Sequence, residues 1–223
     1  CHEKDPAKCE LFIVEGDSAA GTGISARERS FQAILPIKGK ILNVEKARIH
    51  KILRNNEITN IITALGTSIG EEFDESKLRY GKIIVLVDAD SDGNHISCLL
   101  LTFFYRYMRK LIENGNIFVA QPPLFKVSKG KKSFYVKDDI SLESLLQEIG
   151  KTNIVVQRFK GLGEMDAHEL HDTVMNVEKR VLKKIDIENA VEADNTFSVL
   201  MGDEVEPRRE FIMKNAKGAN VDV

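Results

Sequence analysis

The run Lys82-Ile-Ile-Val-Leu-Val-Asp-Ala-Asp-Ser-Asp-Gly93 constrains this chain more than any other stretch. Ile83 to Val87 are five unbroken apolar residues, all β-branched except Leu86. Such a run reads as a strand buried on both faces, as in a parallel sheet. It ends in carboxylates at alternate positions, Asp88, Asp90 and Asp92, and Gly93 then turns the chain into an apolar helix. Alternate side chains of an extended segment point to one side, so the spacing predicts three crowded acids. Two unit charges about 4 Å apart repel by roughly 4 kcal/mol at an effective dielectric of about 20. The cluster therefore has to take up protons or hold a cation, and a hard divalent ion such as Mg2+ prefers oxygen ligands. Two other readings fit part of the pattern. One is a solvated acidic turn held by local hydrogen bonds. The other is a helix-loop-helix calcium site, rejected because its last ligand position falls on Leu99 and a strand precedes the loop.

Glu10-Leu-Phe-Ile-Val-Glu15 is a second apolar run ending in an acid, followed by Gly16-Asp-Ser-Ala-Ala-Gly21. The pattern predicts strand, glycine turn and helix, with Asp17 or Ser18 as the helix cap. Open parallel sheets bind ligands beyond the carboxyl ends of their strands. If the two strands are neighbours, Glu15 meets Asp88, Asp90 and Asp92 there. Helix-cap chemistry without catalysis is the alternative for Glu15 and Asp17.

The 223 residues suffice for one domain, or one with an appendage. No apolar run approaches the roughly 18 residues of a membrane span, and no leader pattern is present. The chain starts at Cys1 rather than Met, as a fragment would. Cys1, Cys9 and Cys98 are odd in number and widely spaced, which argues for a reducing compartment and against a disulfide framework or a cysteine zinc site. The net charge of −2 hides a polarity. Arg27 to Arg54 carries eight Lys or Arg against Glu28 and Glu45, and Asp186 to Glu210 carries eight acids against Arg208 and Arg209. The basic segment reads as a face for a polyanion or as a solvated helix surface.

Further along, Pro36 marks a loop or edge strand, and Gly39 a close backbone approach flanked by Lys38, Lys40 and Asn43. Those three are either phosphate contacts or surface residues at a turn. Periodicity predicts helices over Val44–Leu53, with Val44, Ala47, Ile49, Ile52 and Leu53 inward, and over Asn56–Leu65, closed by Gly66. His95 to Asn114 reads as one long apolar helix ending at Gly115, with His95 in its first turn beside the acids. A strand at Ile117–Ala120 precedes Pro122-Pro123, and Lys126–Lys137 reads as a hairpin. Ser141–Ile149 is a short helix with Ser141 and Ser144 both eligible caps. Asn153–Arg158 is a strand, Lys160–Gly163 a tight turn, and the remainder mostly helical. His168 and His171 lack the spacing of a zinc motif.

Glu15-Gly-Asp-Ser-Ala19 and Asp88-Ala-Asp-Ser-Asp-Gly93 resemble the two signatures of the Toprim fold. Phe31–Arg48, Leu99–Arg106, Gln121–Leu124, Arg158–Met165 and Leu200–Ile212 resemble the B subunits of bacterial-type type IIA topoisomerases, and the closing segment is more similar to their gyrase branch than to topoisomerase IV. The resemblance implies an α/β Toprim unit at 9–127, an open parallel sheet flanked by helices, with a smaller α+β tail at 128–223 contacting the A subunit. It implies the carboxyl-terminal half of a B subunit without an ATP site or the catalytic tyrosine, in a bacterial cytoplasm or an organelle and not in a membrane. Its partners would be double-stranded DNA and the A subunit, as an A2B2 assembly. Glu15, Asp88, Asp90 and Asp92 would be catalytic, with Glu15, Asp88 and Asp90 holding Mg2+, for which Mn2+ or Ca2+ can substitute. Lys40, Asn43, Lys38, His95 and Arg208 would touch DNA. Departures from the family pattern are Ser91, Asn94, Ser97 and Cys98 near the acids, and Ala20 and Thr22-Gly23 after Ser18. A stand-alone Toprim nuclease or primase and a non-catalytic DNA-binding scaffold remain open readings.

Overall fold

The two apolar runs form neighbouring strands. In the computed structural model, which describes residues 1–150 and 152–218, β1 (Glu10–Glu15) lies between β2 (Gln32–Ile37) and β3 (Lys82–Leu86). β1 and β3 are parallel, with Leu11 opposite Ile83 and Val14 opposite Leu86. β4 (Ile117–Ala120) extends the sheet in parallel beyond β3. The crossovers are α1 (Asp17–Ala26), then α2 (Ile49–Ile52) with α3 (Asn56–Leu65), then α4 (Ser91–Tyr107) with α5 (Arg109–Glu113). β2 is an edge strand, where Pro36 is tolerated.

Alternate strand residues serve two separate cores. Leu11, Ile13, Ile83 and Val85 join Ile58, Ile61, Leu65, Phe103 and Phe104 on one face. Phe12, Val14, Ile84 and Leu86 join Ala19, Phe159, Leu162, Met165 and Val174 on the other. This two-sided burial explains why the runs are uninterrupted rather than alternating.

A small antiparallel sheet, β6-β5-β7, follows: β5 (Phe125–Lys129), β6 (Lys132–Val136) and β7 (Ile154–Arg158). α6 (Asp139–Ile149) joins β6 to β7, and α7 (Ala167–Leu170) precedes a wider helical turn at His171–Met175. The expectation of a mostly helical remainder misses β8 (Leu182–Lys184), which pairs antiparallel with β4 and closes the large sheet. α8 (Ala190–Met201) and α9 (Val205–Asn215) complete the chain's α-helices among the described residues. None of these helices is long and apolar enough to cross a membrane.

Other expected boundaries move for local reasons. The helix predicted from Val44 shrinks to α2, leaving Ile49 and Leu53 about half exposed. Asn43 Oδ1 accepts the Glu45 N–H at 3.0 Å, a side-chain competitor for the first helical turn. α4 starts at Ser91 rather than His95 because Asp90 caps it through the Gly93 N–H at 2.7 Å, and it breaks at Met108 instead of running to Asn114. Gly16, at φ 77°, takes the cap position expected of Asp17 or Ser18. Asp138 caps α6 in place of Ser141 or Ser144 by accepting the Ser141 N–H at 2.7 Å.

Two arginines fasten the tail, one to β1 of the sheet and one to α4. Arg180 donates to both Glu10 oxygens at 2.6 Å, and each side chain is only 4% exposed. Gln32 Nε2 also donates to Glu10 at 3.0 Å and to the Met175 carbonyl at 2.8 Å. On the opposite core, Arg106 of α4 binds Glu45 at 2.6 and 2.9 Å, Ser198 at 3.1 Å, and Asp194 of α8. Removing one member of a buried pair strands the other, at a cost of about 3–5 kcal/mol. Arg180→Ala is therefore expected to lower unfolding free energy by about that amount in urea titrations at pH 7. Burial raises the Glu10 carboxyl, but hydrogen bonds from Arg180 and Gln32 outweigh it and leave it below its usual range. A lowered folded value stabilises above the ordinary glutamate pKa of about 4.3 and fades as pH falls through the folded value. The wild-type advantage over Arg180→Ala should shrink in that acid window; a gap that is small at pH 7 or independent of pH would refute the assignment.

Candidate metal centre

The sheet winds outward in both directions from β1, toward β2 on one side and β3 on the other. Open α/β sheets bind ligands in the crevice at such a switch point. Glu15 ends β1, and Asp88 lies two residues past the end of β3. The neighbour relation expected from sequence therefore holds. Glu15 Oε2 is buried with no hydrogen-bond partner among the described residues. Burial pushes the Glu15 carboxyl up, the Asp88 backbone N–H pulls it down, and the charges of Asp88, Asp90 and Asp92 push it up again; the net position is above the usual range. The Glu15 carboxyl thus feels the charges of all three aspartates.

The strict alternation ends earlier than the sequence suggests. The backbone is extended at Asp90 (φ −123°, ψ −178°), and α4 begins at the next residue. Asp92 sits in the first helical turn, where Lys40 Nζ lies 2.9 Å away and holds its carboxyl below the usual range. Asp90 Oδ1 is the cap of α4. The expected row of three acids along one extended strand is corrected to one acid past a strand, one cap and one helical residue. Helix nucleation at Asp90 overrides the alternation.

Asp88 is gripped from two sides. A Cβ on Gly93 would lie 2.1 Å from the Asp88 carbonyl oxygen, so only glycine lets α4 start this close. On the other side the Leu162 N–H donates to Asp88 Oδ1 at 2.8 Å. A Cβ on Gly161 would lie 2.8 Å from Asp88 Oδ2. Gly161 is extended (φ −159°), so crowding rather than dihedral freedom demands the glycine. Sequence alone marks Lys160–Gly163 as a turn and does not connect it to Asp88. The glycines bracketing Leu162 are the signal, but a sequence does not say which group they approach.

The basic residues divide. Lys38 follows β2 beside the Glu15 strand end, with Nζ 3.7 Å from Asp17, and Lys40 pairs with Asp92. His95 is exposed on the first turns of α4. Asn43 Nδ2 instead holds the Met201 carbonyl at 2.9 Å, and Arg208 donates to the Gly202 carbonyl and, at 3.3 Å, to that of Glu204. Open clefts flank the acidic loop, one lined by Asp88, Asn94, Ser97 and Lys137, the other by Asp90, Ser91, Arg158 and Lys160.

Among the described residues no three His, Cys, Asp or Glu side chains converge into a ready cage for an ion. Mg2+ does not need one, because it keeps several waters and binds through one or two carboxylates plus phosphate oxygens. A partnerless buried oxygen on Glu15, hard oxygen donors and a raised carboxyl pKa fit an ion of that kind.

Known proteins match along the whole chain. A family model of the Toprim domain matches residues 10–122, and one of the DNA gyrase B subunit carboxyl terminus matches residues 151–213. The DNA gyrase B subunits of Clostridium acetobutylicum and of Staphylococcus aureus are each 55% identical to it, with all of this chain aligned. The chain spans about a third of the length of these curated relatives, 36% and 35%.

A carboxylate whose folded pKa is raised contributes stability below its ordinary pKa, about 4.3, and loses it as pH rises through the folded value. Ionised Glu15 therefore opposes folding at neutral pH when no cation is present. Glu15→Gln in EDTA is expected to raise the thermal midpoint at pH 7, by no more than about 2 °C because the site is partly solvent-screened. The gain should vanish below pH about 4. A midpoint unchanged or lowered at pH 7 would contradict the strained-carboxylate reading.

Proposed function

The chain belongs to the Toprim family and carries a carboxyl-terminal segment of the DNA gyrase B type, and from that premise we propose that it is the metal-holding half of a type IIA topoisomerase cleavage site. Toprim domains bind divalent metal; the ion proposed here is Mg2+. The observation that carries the reading is the buried, partnerless Glu15 oxygen beside Asp88 at the switch point of the sheet. The substrate is a phosphodiester of double-stranded DNA, and the nucleophile is a tyrosine brought by an A subunit in an A2B2 assembly. Cleavage leaves a 5′-phosphotyrosyl link and a 3′-hydroxyl, and religation reverses it. The setting is a bacterial cytoplasm.

Glu15 and Asp88 would hold the catalytic ion, and Asp88 with Asp90 would hold a second one. A bound divalent ion supplies positive charge where negative charge develops on the phosphoryl and leaving 3′ oxygens. Asp92 tunes the group from outside and keeps Lys40 at the rim. Lys38, Lys40 and His95 meet phosphates. Asn43 and Arg208 are the remaining DNA contacts, although Asn43 Nδ2 and Arg208 Nη2 also donate to tail carbonyls. The alternative to Glu15 as a ligand is Glu15 as the acid that protonates the 3′-oxygen, a role that its raised carboxyl pKa favours. The unit at 9–127 supplies the acids and the tail at 128–223 meets the A subunit.

Supercoiled DNA incubated with Mg2+ should be cut only when a cognate A subunit is added. Asp88→Ala should reduce that cleavage by about a thousand-fold or more, since a positioned cation is worth several kcal/mol, without changing the circular dichroism spectrum. DNA affinity should fall steeply between about 50 and 200 mM salt, as expected for phosphate contacts. Cutting by this chain alone would point instead to a nuclease. No cutting with a tightly bound partner would leave a scaffold.

A further inference from the structure

The Gly161–Leu162 peptide lies outside the segment matched by the Toprim family and inside the one matched by the gyrase B carboxyl terminus. It nevertheless contacts Asp88 directly. The Leu162 N–H takes one carboxylate oxygen at 2.8 Å, and the bare Gly161 Cα leaves room for the other. The peptide is fixed from beneath: Phe159, Leu162 and Met165 are buried in the core that also holds Val14 and Leu86, the last apolar residues of β1 and β3. Phe159 N–H donates to the Leu124 carbonyl at 2.8 Å, and Glu164 N–H to that of Gly161 at 3.1 Å. A donor mounted on packed core does not follow the carboxylate; the carboxylate follows it.

We propose that the Gly161–Leu162 peptide is a positioning element of the metal site, presetting the rotation of the Asp88 carboxylate and so its affinity for a divalent ion. The inference rests on the reading of Glu15 and Asp88 as metal ligands. Ligand carboxylates are oriented by hydrogen bonds from outside the coordination sphere, and losing such a partner typically costs about 10- to 100-fold in metal affinity. The tail thereby completes the site electrostatically without touching the ion.

Gly161→Ala tests this, because the added methyl meets the flexible end of Asp88 rather than backbone and the fold can yield there. Gly163→Ala is the control: its Cβ would lie 3.5 Å from Ser18 Oγ, an ordinary contact, with nothing of Asp88 nearby. Mn2+ binding to the 223-residue chain, followed by the electron paramagnetic resonance of free Mn2+, should weaken about ten-fold in Gly161→Ala and stay unchanged in Gly163→Ala. Thermal midpoints should match the wild type. With the A subunit and DNA added, Gly161→Ala should need about ten-fold more metal for half-maximal cleavage while approaching the wild-type rate at saturation. Wild-type Mn2+ affinity in Gly161→Ala, or equal weakening in both variants, overturns the positioning role. Failure of the wild-type chain to bind Mn2+ overturns the metal reading beneath it.

Discussion

Parallel pairing of β1 with β3 is the constraint on which the site depends. Only side-by-side exits from a sheet bring Glu15 and Asp88 together without either lying in the core. The pairing has to withstand charge repulsion, which for one close pair is roughly 4 kcal/mol. Phe12, Ile13, Val14 and Ile83 to Leu86 are all fully buried, and at about 1.5–3 kcal/mol per side chain their burial contributes roughly 10–20 kcal/mol. Apolar burial wins by a wide margin. The unbroken hydrophobic runs are therefore part of the chemistry: an ordinary amphipathic strand would bury half as much next to the same charges.

Once the strands are placed, the acids differ because their backbone surroundings differ. Asp90 is occupied as a helix cap and Asp92 as the partner of Lys40. Asp88 accepts from a distant N–H, and Glu15 keeps an oxygen with no partner among the described residues. Glu15 thus carries a buried oxygen that a cation would satisfy. An oxygen left without a partner at Glu15 would favour a cation there as much as the gathering of carboxylates does.

Much of this was legible in sequence wherever periodicity and burial agree. β1 and α3 occur at the residues expected, Gly66 closes α3 in the left-handed region, and Pro36 falls on an edge strand. The misses share a cause: a group far away in sequence overrides the local pattern. β8 is Leu182-Lys-Lys184, which has no strand periodicity and owes its form to the free edge of β4. The alternating aspartates look like a strand until Asp90 starts a helix. The pairing of Glu10 with Arg180, of Arg106 with Glu45 and Asp194, and of Leu162 with Asp88 spans separations that one sequence does not encode visibly.

Those long-range joints differ in stiffness, and the difference bears on the site. Breaking Glu10–Arg180 strands a buried charge at about 3–5 kcal/mol. A single hydrogen bond to a charged acceptor, such as Leu162 to Asp88, is worth about 1.5–3 kcal/mol. The Leu162–Asp88 bond is therefore the weaker of the two, although the peptide that donates it is mounted on buried Phe159, Leu162 and Met165. β8, the Arg180 pair and the Phe159–Met165 anchor keep the tail in place, and the Asp88 carboxylate is held against that fixed donor. Reorienting Asp88 therefore means breaking its bond to Leu162 rather than moving the tail.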